Sequence, residues 1–275
     1  MRLFTTGLLS LFLCAAAFTG CSDDTNRNSD DDDDGGSGPS SSSVGGSGAG
    51  GDATTAAGGN GTTTTGTGAG GAFTCQTARE NALQANDGVS SGEIIILDDN
   101  GGDREVFIDA TAGGFQAASQ NPWVYIDLDT MTRVAIDDFQ SFDDGGWDLA
   151  VKRTSLRNNS MHSGAGNGGT AWLNGATFES VTLADAQSAT LEQEVWFDGQ
   201  CNYQTDAIGT LVTSFGTWYN YLGAGALVPL DGVFVVRAAD GQSFYKLHIL
   251  NYYANPDGSV DGPTSARYLV RVQAL

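Results

Sequence analysis

The chain has 275 residues, 33 of them acidic and only 12 basic, for a formal net charge of −21 at pH 7. Such an excess of negative charge argues against nucleic acid and anionic lipid surfaces as partners, since both would be repelled before contact. The composition suits a soluble export product, with one folded domain behind a stretch that is too polar to fold.

The N-terminal stretch "MRLFTTGLLSLFLCAAAFTGC" carries one basic residue, Arg2, then runs without charge to Cys21. It reads as a secretory signal over residues 1–21, because the apolar run is short for a bilayer span and closes on small residues. Phe18-Thr19-Gly20-Cys21 resembles the lipobox of bacterial lipoproteins. That resemblance implies that Cys21 is diacylated and becomes the mature N-terminus. Ser22, not Asp, follows it, which by analogy with lipoprotein sorting implies lipid anchoring in the outer membrane.

Residues 22–72 are mostly Gly, Ser, Thr, Ala and Asp, with Val44 the one large apolar residue. A segment that buries so little cannot offset its chain entropy, so a disordered acidic linker is expected. As a flexible coil of about 50 residues it spans about 40 Å root-mean-square, the reach of a stalk.

Residues 73–275 form the expected domain, with 10 basic against 25 acidic residues, a net charge of −15. Of the four cysteines, Cys14 leaves with the signal and Cys21 takes lipid, which leaves Cys75 and Cys201. An even pair in an exported chain favours a disulfide. A two-thiol metal site is the rival, but neither Cys has a second Cys or a His at ligand spacing.

The domain opens on a short helix, with Thr77 and Glu80 in a capping-box pattern and a weak apolar face at Ala78, Ala82, Leu83 and Ala85. Nearly everything after it reads as strand. Glu93 to Leu97 has the look of a buried strand, and "REVFID" follows the turn-rich 98–102 segment. "WVYIDLDTMTRVAI" alternates around a turn near Thr130, and "WDLAVKR" is the next strand. "SGAGNGG", 163–169, is a loop. Later strands are "LEQEVWFD", "GTWYNYL", "GVFVVRA", "FYKLHILNYY" and "ARYLVRVQAL". In the last, Arg267, Leu269 and Arg271 make a wet face opposite Tyr268, Val270 and Val272. Many short strands with glycine-rich turns predict an all-β fold, an antiparallel sandwich or flattened barrel with one short N-terminal helix.

Catalytic patterns are thin, and no enzyme is expected. A Ser-His-Asp triad would have to use His162 or His248, and no Gly-x-Ser-x-Gly elbow occurs. "SGAGNGG" lacks the Lys and βαβ context of a phosphate loop, so it reads as a turn. Carboxylates are so numerous that pairs suited to glycoside hydrolysis arise by chance. "DDNGGD", 98–103, and "NPDGSVDG", 255–262, offer oxygen ligands for Ca²⁺ but fit no EF-hand loop and read as tight turns. Met161 and His162 lie side by side in a loop and offer a soft-metal or haem-iron pair, against the plainer reading of a solvated loop histidine. His248 shares a strand face with Phe244, Lys246, Leu250 and Tyr252, opposite Tyr245, Leu247 and Ile249, and both faces are apolar. It reads as a hydrogen-bonded structural residue, with ligation as the alternative.

An ordered set of motifs then resembles the HmuY family of bacterial lipoproteins. Trp147, Asp148, Ala150 and Arg153 are followed by Arg157-Asn158-Asn159 and the Ser-Gly-x-Gly-x-Gly-Gly loop. Trp218 and Tyr221 precede Val235 to Gly241, then Lys246, Leu250, Tyr252 and Tyr253. The resemblance covers about 123–273. It implies an all-β, lipid-anchored surface protein that captures haem with two His or Met side chains and passes it to an outer-membrane receptor. Those ligands are expected between the glycine-rich loop and the Val-Val-Arg strand. The chain departs there: between Thr170 and Val233 it has neither His nor Met, and Met161, His162 and His248 match no family ligand position. Haem or another porphyrin, held through Tyr or a displaced ligand, is thus one expectation. A surface recognition or assembly module that binds no haem is the alternative.

Overall fold

The computed structural model describes residues 75–205, 211–223 and 226–275. The signal, Cys21 and the 22–72 linker lie outside the described residues. Helix α1 (Gln76–Leu83) is followed by strands β1 (Ile94–Asn100), β2 (Asp103–Asp109), β3 (Val124–Asp127), β4 (Thr132–Val134), β5 (Leu149–Lys152), β6 (Ser155–Asn158) and β7 (Gly169–Asn174). After helix α2 (Leu183–Ser188) come β8 (Tyr219–Tyr221), β9 (Leu227–Pro229), β10 (Gly232–Arg237), β11 (Phe244–Asn251) and β12 (Arg267–Ala274).

Antiparallel pairing builds a six-stranded sheet in the order β1-β2-β12-β11-β10-β7 and a four-stranded sheet, β4-β3-β5-β6. A separate hairpin, β8-β9, pairs with neither. The two sheets face each other across one core. Val106, Ile108, Phe234, Val236, Leu247, Ile249, Val270 and Val272 meet Val124, Ile126, Leu149 and Val151. Each such side chain contributes roughly 1.5–3 kcal/mol when fully buried. The expected sandwich is therefore the fold.

Both outer faces are also covered. Against the four-stranded sheet, Tyr125 and Ala150 pack with Trp123, Trp147, Trp196, Phe197 and Leu83 of α1. Against the six-stranded sheet, Val233 and Val235 lie under Phe178, Val181 and Ala186. The disulfide between Cys75 and Cys201 is formed, with Cα atoms 5.3 Å apart, and links the start of α1 to a segment 126 residues on.

Several local expectations change. The Thr77–Glu80 capping box does not form: Cys75 is the N-cap, so Thr77 lies inside the first turn, and Glu80 instead accepts from Gln76 Nε2 at 2.7 Å. A true capping box caps α2, where Thr182 and Asp185 satisfy each other's backbone N–H groups. β1 is an edge strand with its second half exposed, not a buried one, and its carboxylates face water. Residues 191–198 make only isolated bridges, Thr170 to Glu192 and Phe197 to Tyr203, because this stretch plugs side chains into the interior instead of joining a ladder. β6, β7 and β9 are strands that the sequence did not announce.

β11 settles its own ambiguity. Tyr245, Leu247 and Ile249 face the inter-sheet core, and a register shift between Ile249 and Asn251 lets Tyr252 join them. A bulge inserts one residue and so moves a side chain to the other face. β12 alternates as expected, except that Leu269 is buried in a small outer cluster with Phe107 and Ala254.

Candidate functional site

Most of the motif residues are buried scaffold. Asp148 accepts from Leu128 N at 2.9 Å and Ala239 N at 2.8 Å, and so ties the β3–β4 turn to the β10–β11 hairpin. Burial pushes its carboxyl up, and these two N–H donors oppose that. Arg157 is fully buried between the rings of Trp147 and Trp123, 4.8 and 4.9 Å from its guanidinium carbon. It donates to Ser163 O at 2.9 Å and to the Tyr125 hydroxyl at 2.7 Å, and that hydroxyl donates onward to Asp138 at 2.8 Å. The buried cation and anion are thus joined through a phenol. Glu194, also fully buried, accepts from Asn158 N, Trp196 Nε1, Ser214 N and Ser214 Oγ. Burial pushes its carboxyl up against those four donors.

The glycine-rich loop wraps Asn159. Its side chain donates to Asp144 O and Trp147 O and accepts from Gly166 N. A Cβ on Gly166 would stand 2.7 Å from both Ala239 Cβ and Asn159 O, so the glycine is there for close approach.

The histidines and the methionine do not converge. Met161 is exposed at a loop position with φ of 45°. His162 Nδ1 accepts from Trp196 N at 2.8 Å, and its ring lies 5.3 Å from Phe197; burial lowers its pKa. His248 pairs across the ladder with Arg271, in the field of Asp231 and Glu179, and burial lowers its pKa as well. Their surroundings share no residue. Among the described residues, no group of three or more His, Cys, Asp or Glu is placed to hold a metal. The two acidic turns use their own side chains: Asp99 accepts from Gly102 N and Arg104, and Asp257 from Ser259 N and Oγ.

A cleft of about 950 Å³ lies where α1, the β5–β6 turn and β8 meet. That volume is at the upper end of small-molecule sites, about 300–1,000 Å³. Its walls are aromatic: Trp123, Tyr219, Tyr252 and the exposed rings of Phe115 and Tyr221. Two cations line it, Lys152 at the end of β5 and Arg153 in the two-residue turn to β6.

Neither cation has a carboxylate partner among the described residues. Lys152 is only 5% exposed, and its three donors meet a single acceptor, Gln84 O, at 3.3 Å. Burial holds its pKa down to about 8, with Asp138 opposing and Arg157 adding to the shift. Arg153 sits at φ 54°, a left-handed conformation that costs a non-glycine residue about 1–2 kcal/mol. Its backbone is pinned there: its N–H donates to Ala110 O, and its carbonyl accepts from the Tyr268 hydroxyl. The guanidinium reaches Ser265, with Nη2 3.0 Å from the hydroxyl. Behind this wall the Tyr252 hydroxyl is buried with no hydrogen-bond partner among the described residues.

Sequence reasoning marked Arg153, Tyr221 and Tyr252 only as motif residues and passed over Lys152. One signal was available: Lys152-Arg153 is the only consecutive pair of basic residues in the chain.

The chain is thus a two-sheet β-sandwich with an aromatic, cation-lined cleft. The sequence model of the HmuY protein matches residues 119–268, more than half of the chain, and the chain belongs to the HmuY family. That family is one of binding proteins associated with haem. Among solved structures the chain is similar to apo PinO from Porphyromonas gingivitis, with 14% identity over 56% of this chain and 90% of that chain and a TM-score of 0.39. No curated protein matches.

Against a haem, the cleft fits in part. Its volume, aromatic walls and paired cations suit a flat macrocycle with carboxylates, but no His, Met or Cys is among its lining residues.

Proposed function

We propose that the protein is a HmuY-type binding module that captures haem or a related porphyrin in the cleft between α1 and β8. On this reading Cys21 carries lipid, residues 22–72 hold the domain off an outer membrane, and the cargo passes to an outer-membrane receptor. The observation that carries it is the pair Lys152 and Arg153 set into an aromatic cleft of about 950 Å³. Rings stack on a macrocycle, and cations take its carboxylates. Bound there, haem would be held by the rings of Phe115, Tyr219 and Tyr221 and by the two basic side chains. The group itself supplies only the cargo.

Titration of the full chain with hemin tests the reading, and a saturable change in the Soret band is expected. No change in either iron oxidation state would sink it. The lack of His and Met in the lining favours a second reading, a surface recognition module that binds no haem. Recovery of a surface partner by haem-free protein that shows no Soret response would select it.

A further inference from the structure

We infer that the cleft holds its ligand by the carboxylates and the flat ring, with Lys152 and Arg153 as an anion subsite, and not through a metal. The ligand class is then a planar aromatic carboxylate, and iron is dispensable. This rests on the porphyrin reading of the same cleft and sharpens it.

Three observations carry it. First, the domain has 25 acidic residues for 10 basic ones, yet Lys152 and Arg153 both lack a carboxylate partner among the described residues. Arg104, Arg267 and Arg271 each find one; Arg133, Arg237 and Lys246 also lack one but spend their donors on backbone carbonyls. Secondly, Lys152 is buried, with its ammonium 6.0 Å over the Trp123 ring and, among the described residues, hydrogen-bonded to Gln84 O alone, so an anion at the cleft would gain a charge-assisted partner. Thirdly, no side chain lining the cleft is His, Met or Cys, its tyrosines being the one haem-iron ligand type present, while the exposed rings of Phe115 and Tyr221 are suited to stacking. Tyr252 adds a buried, unpaired hydroxyl to the same wall, a kind of group that calls for an explanation.

The test compares hemin, metal-free protoporphyrin and the dimethyl ester of protoporphyrin on the full chain, with binding read by tryptophan quenching. Hemin and metal-free protoporphyrin are expected to bind within about tenfold of each other, and the ester at least about tenfold more weakly, the loss appropriate to charge-assisted hydrogen bonds. Lys152→Met keeps the side-chain volume and removes an under-satisfied buried cation, so its thermal midpoint is expected to hold or rise. The same variant should bind both acids at least about tenfold more weakly and leave the ester unchanged. A hemin preference above tenfold, or an ester that binds as well as the acid, overturns the inference while leaving porphyrin capture standing. If none of the three ligands binds, both the inference and the porphyrin reading fall.

Discussion

Lys152 couples the cleft to pH. Its folded pKa of about 8 lies below the ordinary lysine value of 10.5, because burial strips water from the ammonium. Between those two values the unfolded chain binds the extra proton, so the domain gains stability as pH rises from about 8 towards 10.5. Below pH 8 the cost of the buried charge is fully present. Binding has the opposite sign. A carboxylate needs Lys152 charged, so affinity for an anionic porphyrin should fall as pH rises through about 8. The charged groups facing the ammonium are Asp138 and Arg157, with Arg153 next to it in the chain. Lys152→Arg keeps its charge throughout, and its affinity should be flat from pH 7 to 10; a wild-type curve equally flat would remove Lys152 from the site. At this scale the sequence was legible for identity but not for role. Arg157, Asp148 and Asn159 stood out as motif residues, yet nothing local shows that they are buried and spend their donors and acceptors on the scaffold. His248 read as structural with ligation as the alternative, and it pairs across the ladder with Arg271, while His162 accepts from Trp196 N.

Among the elements, the strands read best where hydrophobic alternation is long. β10, β11 and β12 announce themselves, and Asp240-Gly241 turns the chain between the first two, with Asp240 accepting from Gln242 N and Ser243 N. β6 and β7 did not, because "SLRN" and "GTAWLN" flank a glycine-rich loop and carry polar side chains that turn out to be buried. "LEQEVWFD" misled in the other direction. Its alternation is real, but Glu194 and Trp196 point into the interior from a chain with almost no ladder. The glycine-rich loop gives a sharp test. Gly166→Ala would place a methyl 2.7 Å from Asn159 O and Ala239 Cβ, and overpacking of this kind costs about 1–3 kcal/mol. Gly199, with nothing within 4 Å of its added Cβ, is the control, and Gly199→Ala should leave the denaturation midpoint unchanged or slightly higher. Equal midpoints for the two variants would show that the loop does not clamp Asn159.

For the whole molecule, the sandwich was legible because many short strands allow few other solutions. Its coverings were not. The cleft gathers α1, the β5–β6 turn, β8 and Ser265, which lie far apart in sequence, so no window along the chain could display it. The disulfide takes on a different meaning in that setting. α1 supplies Ala82 and Leu83 to the cleft, and its C-cap residue Gln84 supplies the carbonyl that Lys152 touches. A helix of eight residues is marginal by itself. Its N-terminal end is tied to Cys201 across 126 residues, a closure worth about 4–5 kcal/mol by chain entropy. Cys75→Ser with Cys201→Ser should therefore lower stability by about that amount, seen in urea melts, and weaken porphyrin binding where the domain is still folded. Undiminished binding by the double variant would dissociate the bond from the cleft. If the expectation holds, oxidation sets the timing of cargo capture: a newly made chain with both thiols free is a poor trap, and competence arrives only in an oxidising compartment.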